Sequence, residues 1–448
     1  MLKVCYPNTD SEKENKITTI VTVVSIIFMG FSLYFSHTSM LSIIYQVAAV
    51  GFSVIFCSKN LLFFIPLLLL STTRSYIEVS TNLIFSNYFT LNGTMVTLIL
   101  LGVWFYMFWK QNMKTTIYVH ALPIIFLGFH MLISQFWANS LLEYKGAFFF
   151  VCVAYIVLPN MVNSEEGVFN AKFAYVISGL FLGIGIVPYV LSFGSVFEFS
   201  LMADNNHFLV DRNYLSLFLL ICMLQSIIFL GSYWRNINIV YKLVCFSQII
   251  IDLFLILSFA SRSAFIALVI ALGIYVLINF TKGRNLLFFS VLAFIVFLVL
   301  IELGMLDFVW ERFTLSNISS GNGRFDIWEM YITAFENGNI FQILFGRGLV
   351  GQVDIGLIAH NMFISILYCF GILGLCCVVI ALCTCVSIFI RYDKKNELIV
   401  LIPILFMSLT IEPYYQVEFA IYLALTLGTA LYYSRKYRKN RRNYCNEI

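Results

Sequence analysis

The sequence predicts an all-α polytopic integral membrane protein. Of its 448 residues, 61% are hydrophobic and only 11% are charged, which is too little charge to cover a soluble protein of this size. The same composition excludes a disordered chain. The apolar segments are long and continuous rather than alternating, which excludes a transmembrane barrel.

Fourteen segments have the length of a membrane-spanning helix, which needs roughly 20 apolar residues. Twelve spans would also fit the orientation argued below. The fourteen candidates lie near 17–35, 40–57, 60–77, 91–109, 116–136, 146–160, 172–194, 213–231, 240–260, 263–280, 285–302, 360–390, 397–412 and 416–433.

The distribution of basic residues predicts that both termini are cytoplasmic. With the amino terminus inside, 20 of the 27 basic residues fall in cytoplasmic segments and 7 on the other face, which is a positive-inside signature. The chain then divides into a cytoplasmic segment 1–16, a transmembrane domain 17–433 and a basic cytoplasmic tail 434–448. The basic tail is interpreted as a lipid-facing topology anchor rather than a nucleic-acid site. Two loops on the outer face are long, and they cover 195–212 and 303–359.

The basic residues on the outer face are almost all arginine. Six of the seven are Arg, whereas the inner face has 13 Lys and 7 Arg. A planar guanidinium grips phosphate or carboxylate better than an ammonium group does. The outer face is therefore expected to recognise an anion, through arginines that include Arg74, Arg212, Arg262, Arg324 and Arg347.

The loop 303–359 is expected to contain an amphipathic helix. The turn at 321–323 precedes residues 324–335, in which Trp328, Tyr331, Ile332 and Phe335 share one face. Such a helix should lie flat on the membrane surface and hold Arg324 at the height of the lipid headgroups. The chain turns again at 346–348 and re-enters the membrane at 359–364.

His360 and Asn361 open the membrane helix that follows this loop. The amino terminus of a helix has free N–H groups and positive partial charge, so it attracts anions. It should also favour a neutral imidazole that can accept a proton. The alternative for His360 is a capping or interfacial role.

The sequence contains no P-loop, no Asp-x-Asp and no His-Glu-x-x-His motif. Any chemistry is therefore expected on the outer face, without ATP, without a cofactor and without a metal. A substrate that is activated before it arrives would fit, and sugars joined to a lipid through pyrophosphate are such a class.

Five short segments carry a resemblance to a known family. They are Asp211-Arg212-Asn213-Tyr214, Ser261-Arg262-Ser263, Gly323-Arg324-Phe325-Asp326-Ile327-Trp328, Gly346-Arg347-Gly348 and His360-Asn361. In this order, over residues 200–380, they resemble the bacterial O-antigen polymerase and O-antigen ligase superfamily (the Wzy and WaaL types). Many relatives have a proline at the position of Arg212.

The resemblance implies a metal-independent membrane glycosyltransferase of the C type in the bacterial inner membrane. Its substrate would be an undecaprenyl-pyrophosphate-linked oligosaccharide, used at the periplasmic face during lipopolysaccharide biosynthesis. Arg262, Arg324 and His360 match residues considered functional in these enzymes, so we assign them catalytic roles. A protein that regulates chain length is a candidate partner, and no nucleic acid is expected.

Other residues are candidates for holding the pyrophosphate or glycan: Arg74, Asp211, Arg212, Asn213, Asp326, Glu329, Arg347 and Asn361. Asp211, Asp326 or Glu329 could replace His360 as the group that receives the proton of the acceptor hydroxyl. Three functions compete. A polymerase adds glycan to the next lipid-linked repeat unit, and a ligase adds it to the lipid A core. A non-enzymatic flippase would need a central cavity lined with charge at the bilayer midplane and repeated halves. Here the charge gathers at the outer face, and no internal repeat is visible.

Overall fold

The computed structural model describes residues 154–192, 212–259, 261–279, 323–348, 355–412 and 417–446, with parts of 122–130. Outside these residues lie the segment 1–16, the predicted spans before residue 110, the span 285–302, nearly all of the loop 195–212, and residues 303–322 and 349–354 of the loop 303–359. Within the described part every regular element is a helix. The helices are α1 Glu165–Ser192, α2 Arg212–Tyr233, α3 Ile239–Ser258, α4 Arg262–Asn279, α5 Arg324–Glu336, α6 Ile340–Phe345, α7 Met362–Arg391, α8 Leu398–Met407 and α9 Val417–Asn446.

Four of the described helices are long and apolar enough to cross a membrane. They are Glu165–Ile184 of α1, Asn213–Tyr233 of α2, α3 and α7, and α4 is a shorter apolar helix. This supports the predicted class, a helical membrane protein. The number of fourteen spans stays a prediction, because most of the predicted spans outside these helices lie beyond the described residues or are only partly covered.

The helix ends differ from the predicted spans at three places. α1 begins at Glu165 rather than near 172, and α8 ends at Met407, before the predicted end at 412. α9 continues to Asn446, so most of the predicted tail 434–448 is helical. The charged residues of the tail end the apolar segment, but they favour a helix as well as a loop, since Lys and Arg are good helix formers.

α2 lies at the centre of the described helices and packs against α1, α3, α4 and α8. Between α2 and α3 lies a buried polar cluster. The amide of Gln248 donates to the carboxyl of Asp252 and its oxygen accepts from the hydroxyl of Ser226. Asp252 is fully buried and is bonded to a neutral amide on its own helix. Within the described part of the chain, its second carboxyl oxygen has no hydrogen-bond partner.

α7 is interrupted at Gly371, where φ is +69° and ψ is −173°. The interruption leaves the carbonyl groups of Tyr368 and Cys369 without their intrahelical donors. The N–H groups of Arg347 and Gly348 donate to these two oxygens over 3.1 and 2.8 Å. The predicted span 360–390 is thus two helical segments, and the chain after α6 completes the hydrogen bonding at the break.

The described helices have two distinct ends. At one end Lys436 pairs with Glu165 over 3.0 Å, Lys172 pairs with Glu397, and Ser434 bonds to Tyr392. At the other end, which we call the arginine end, α2, α4, α5 and α7 begin at Arg212, Arg262, Arg324 and Met362. Among the described residues, those named here from the two predicted membrane faces are therefore separated in space. Which end faces the cytoplasm stays a prediction.

Candidate functional site

The starts of α2 and α4 are joined at the arginine end. The hydroxyl of Ser261 donates to the side-chain oxygen of Asn213 over 2.9 Å. Ser261 precedes Arg262, the first residue of α4, and its hydroxyl also accepts from the N–H of Ala264 over 3.4 Å. As an N-cap residue, Ser261 fixes the direction in which α4 starts. Asn213 and half-buried Arg262, two of the predicted site residues, are thus brought together.

Tyr214 ties the start of α2 to Glu412, in the turn after α8. Its hydroxyl accepts from the N–H of Glu412 over 3.1 Å and donates to the carbonyl oxygen of the same residue over 3.2 Å. Both residues are buried. One phenolic hydroxyl therefore satisfies both main-chain groups of Glu412, which would otherwise be costly to bury.

The side chain of Glu412 binds the segment that contains His360. One carboxylate oxygen accepts from the main-chain N–H of His360 over 2.9 Å, and the other accepts from the hydroxyl of Ser365 over 2.8 Å. Glu412 has an exposed fraction of 0%. A buried carboxylate needs such donors because burial removes its hydration. The re-entry turn and the first turn of α7 are thus fixed to the end of α8.

The amino terminus of α7 differs from the expectation of free N–H groups. The side-chain oxygen of Asn361 caps the helix by accepting from Phe363 and Ile364, over 3.0 and 3.2 Å. The N–H of Met362 donates to the carbonyl oxygen of Ser408 over 2.8 Å. Protein groups therefore occupy the donors that were expected to attract an anion. Asn361 acts as a cap, and its predicted contact with substrate stays a prediction.

α5 is held against the turn that precedes His360. The indole N–H of Trp328 donates to the carbonyl oxygen of Ala359 over 2.9 Å, and the hydroxyl of Tyr331 donates to that of Leu357 over 2.7 Å. Tyr331 is fully buried and its ring contacts Tyr368 edge-on at 5.0 Å. Burial raises the pKa of the Tyr331 phenol well above its usual value, and nearby Glu412 raises it further. The hydroxyl is therefore a donor at any physiological pH.

The face of α5 that was predicted to lie on lipid mostly contacts the protein. Trp328, Tyr331 and Phe335 pack inward, whereas Ile332 has an exposed fraction of 43%. The sequence pattern identified the helix and its apolar face, but periodicity does not distinguish a lipid surface from a neighbouring helix. The alternative bases Asp326 and Glu329 are both exposed.

Arg324 and Arg347 have different surroundings. Arg324 is half-buried and is the first residue of α5, after Gly323 with φ +75°. Arg347 donates from its guanidinium to the carbonyl oxygen of Ala334 over 2.9 Å and lies 5.6 Å from the ring centre of Tyr368. These contacts give Arg347 a packing role, and its predicted role in binding substrate stays a prediction.

Three other predicted residues are described incompletely. Arg212 opens α2, but its side chain lies outside the described residues, and Arg74 and Asp211 lie outside them entirely. Their predicted contacts with substrate stay predictions.

The sequence interpretation missed Glu412. It lies near the end of an apolar segment, directly before Pro413. Ionisable residues within apolar membrane segments are costly and are usually paired or functional. That rule, applied to the sequence, would have found Glu412.

These contacts form one continuous network at the arginine end. It runs from Ser261 through Asn213 and its neighbour Tyr214 to Glu412, and from there through His360 and its neighbour Ala359 to Trp328. Arg262 and Arg324 flank its two ends. The network joins segments that carry guanidinium and imidazole groups, the residue types that bind phosphate and accept a hydroxyl proton.

Within the described residues, no group of three or more His, Cys, Asp or Glu side chains is placed to hold a metal ion. No protein-family model matches the chain. No curated protein matches its sequence.

Proposed function

We propose that the protein is a polysaccharide polymerase of the O-antigen type. It transfers an undecaprenyl-pyrophosphate-linked glycan onto the next lipid-linked repeat unit, at the periplasmic face of a bacterial inner membrane. The observation that carries the proposal is the network from Ser261 to Trp328, which gathers Arg262, His360 and the helix of Arg324 at one end of apolar helices.

Imidazole and guanidinium groups can supply what the glycan transfer requires. The acceptor hydroxyl attacks the anomeric carbon of the donor, the bond from that carbon to the pyrophosphate oxygen breaks, and undecaprenyl pyrophosphate leaves. His360 orients the hydroxyl and takes its proton. Arg262 and Arg324 neutralise the charge that builds up on the leaving pyrophosphate. The loss of one such preorganised donor typically costs about 3–4 kcal/mol of transition-state stabilisation.

The position of the site suits a lipid-linked substrate. The flanking helices expose apolar side chains, among them Ile250 of α3 and Val269 and Leu277 of α4. A polyprenyl tail can lie against such a surface in the bilayer while its pyrophosphate reaches the arginine end. Positioning and charge neutralisation then supply most of the catalysis, because the leaving group is already good.

The buried polar cluster between α2 and α3 favours a polymerase over a flippase. A flippase needs polar groups that line a passage near the bilayer midplane. Ser226, Gln248 and Asp252 are all buried and bond to one another. The partly exposed arginines lie at the helix ends instead.

A deletion strain tests the function. On a lipopolysaccharide gel, loss of the polymerase leaves core with a single repeat. Core without repeats, together with accumulated lipid-linked polymer, would mean a ligase instead. Single units that accumulate at the cytoplasmic face would mean a flippase.

Variants of the arginines test the mechanism in the complemented strain. Arg262→Ala and Arg324→Ala should each lower the rate of glycan transfer by at least about a hundredfold, if each removes one such donor. Long polymer should then be lost from the gel. Arg391→Ala is the matched control, because Arg391 is exposed at the opposite end of α7. If Arg324→Ala kept full polymer length and amount at matched expression, the pyrophosphate-binding role would be wrong.

A further inference from the structure

We propose that Glu412 is the positioning residue of this site. It holds the main chain of His360 in place and does not itself exchange a proton with the substrate. This inference rests on the proposed function, since it concerns the residue that would activate the acceptor hydroxyl.

The first argument is the connectivity of Glu412. Four hydrogen bonds of its main chain and side chain reach three other segments: Tyr214 at the start of α2, His360 in the re-entry turn and Ser365 in the first turn of α7. The short turn 408–412 also receives the N–H of Met362 at Ser408. A residue bonded to this many segments sets their relative positions.

The second argument is the conformation of His360. Its φ of +50° is in the left-handed region, which costs a non-glycine residue of order 1–2 kcal/mol and persists only where its surroundings impose it. The N–H of His360 is one of the groups that fixes this conformation, and Glu412 is its acceptor. The Glu412 carboxylate therefore fixes the main chain of His360, the residue whose imidazole has to be oriented toward the substrate.

The third argument separates positioning from proton transfer. A general base must come within hydrogen-bond distance of the substrate proton. Glu412 is fully buried, and each of its carboxylate oxygens already accepts a hydrogen bond from a protein group. His360 is partly exposed, so it is the group that a substrate can reach.

Two substitutions at one position distinguish the roles. Glu412→Gln keeps an oxygen for the N–H of His360 and an amide that can bond to Ser365, so transfer should stay within about threefold of wild type. Glu412→Ala removes a charge-assisted hydrogen bond, a loss that corresponds to about ten- to a hundredfold in kcat. The KM for the lipid-linked donor should not change, because the arginines hold the pyrophosphate. Equal loss in both variants would mean that Glu412 exchanges a proton, and would overturn the proposal.

A readout that does not depend on activity uses chemical modification. The purified full-length protein is treated with diethylpyrocarbonate, and each modified histidine is quantified by mass spectrometry. Modification of His360 should become several-fold faster in Glu412→Ala and stay unchanged in Glu412→Gln. His130 is the internal control, because it is buried with its Nε2 atom 2.7 Å from the carbonyl oxygen of Phe345. Unchanged His360 reactivity in Glu412→Ala would contradict the proposal.

A milder variant covers the case in which Glu412→Ala does not fold. Tyr214→Phe removes the hydroxyl that bonds to the main chain of Glu412 but leaves its carboxylate in place. It should speed modification of His360 and lower kcat, both by less than Glu412→Ala would. If wild-type protein transfers no glycan, the proposed function fails, and the modification rates still decide whether Glu412 positions His360.

Discussion

The indole N–H of Trp328 donates a hydrogen bond to the carbonyl oxygen of Ala359 over 2.9 Å. This bond fastens α5 to the residue directly before His360. Trp328 lies about one helical turn after Arg324, so the start of α5 and the re-entry turn are held in one arrangement. Two predicted site residues that are distant in sequence are thereby linked through their neighbours.

Trp328→Phe should loosen this link while it keeps an aromatic ring. The substitution leaves the carbonyl oxygen of buried Ala359 without its donor, which should lower the free energy of unfolding by about 1–3 kcal/mol. Glycan transfer should fall with it, because α5 is no longer held in register. Chemical unfolding in detergent and a transfer assay measure the two effects. Trp234→Phe is the control, since Trp234 lies at the opposite end with an exposed fraction of 46%. An equal effect there would contradict the prediction.

Gly346→Ala and Gly371→Ala should each disrupt the break in α7. An added Cβ at Gly346 would lie 2.2 Å from the carbonyl oxygen of Cys369, and one at Gly371 would lie 2.3 Å from that of Leu344. Both neighbours are main-chain atoms and cannot move independently. Because φ is also positive at both sites, each substitution should lower the free energy of unfolding by about 2–5 kcal/mol.

Gly356→Ala is the control that separates backbone strain from steric overlap, when the free energy of unfolding is measured for all three glycine variants. Gly356 has a φ of +74°, and nothing lies within 4 Å of its added Cβ. This variant should therefore lose only about 1–2 kcal/mol, the cost of the left-handed conformation. A loss at Gly346 or Gly371 no larger than that at Gly356 would mean that the close approach of the two segments is wrong.

Lys172→Met should be strongly destabilising. Lys172 and Glu397 form an ion pair with side-chain exposures of only 6% and 9%, so removal of one partner leaves a buried, uncompensated charge. The free energy of unfolding should fall by about 3–5 kcal/mol in Lys172→Met. The double variant Lys172→Met, Glu397→Leu should recover much of this loss.

The surface pair Lys436–Glu165 is the matched comparison for that cycle. Its side chains are 45% and 61% exposed, so Lys436→Met should change stability by less than about 1 kcal/mol. Chemical unfolding of the single and double variants measures both coupling energies. Similar coupling in the two pairs would contradict the burial of Lys172.

His360→Gly and His360→Asn should separate the side chain from the turn. Glycine adopts the left-handed conformation at no steric cost, and Asn is enriched in it. Both variants should therefore fold with near-wild-type stability and lose glycan transfer, because the imidazole is gone. Thermal unfolding and transfer are measured on the same preparations. Full transfer in His360→Asn would mean that only the conformation of the turn matters.

The sequence predicted the helical class and the positions of several of the described helices, because both follow from local composition. The starts of α2, α4 and α5 lie within about two residues of the predicted ones. The break at Gly371 was missed, because the residues that stabilise it, Arg347 and Gly348, come from another segment. The packing of Tyr331 against Tyr368 was missed for the same reason.

By itself, the sequence determined which local features this protein has. They are apolar helices, arginines that are separated along the chain from the lysine-rich segments, and a histidine at the start of a helix. Burial of apolar residues in a membrane depends on composition over a span, which a sequence displays directly. Only the tertiary structure decided which helix starts share one end and which N–H groups at the start of α7 are bonded to protein acceptors. It also revealed Glu412 as the link between them, since a hydrogen bond depends on positions in space that distant segments set together.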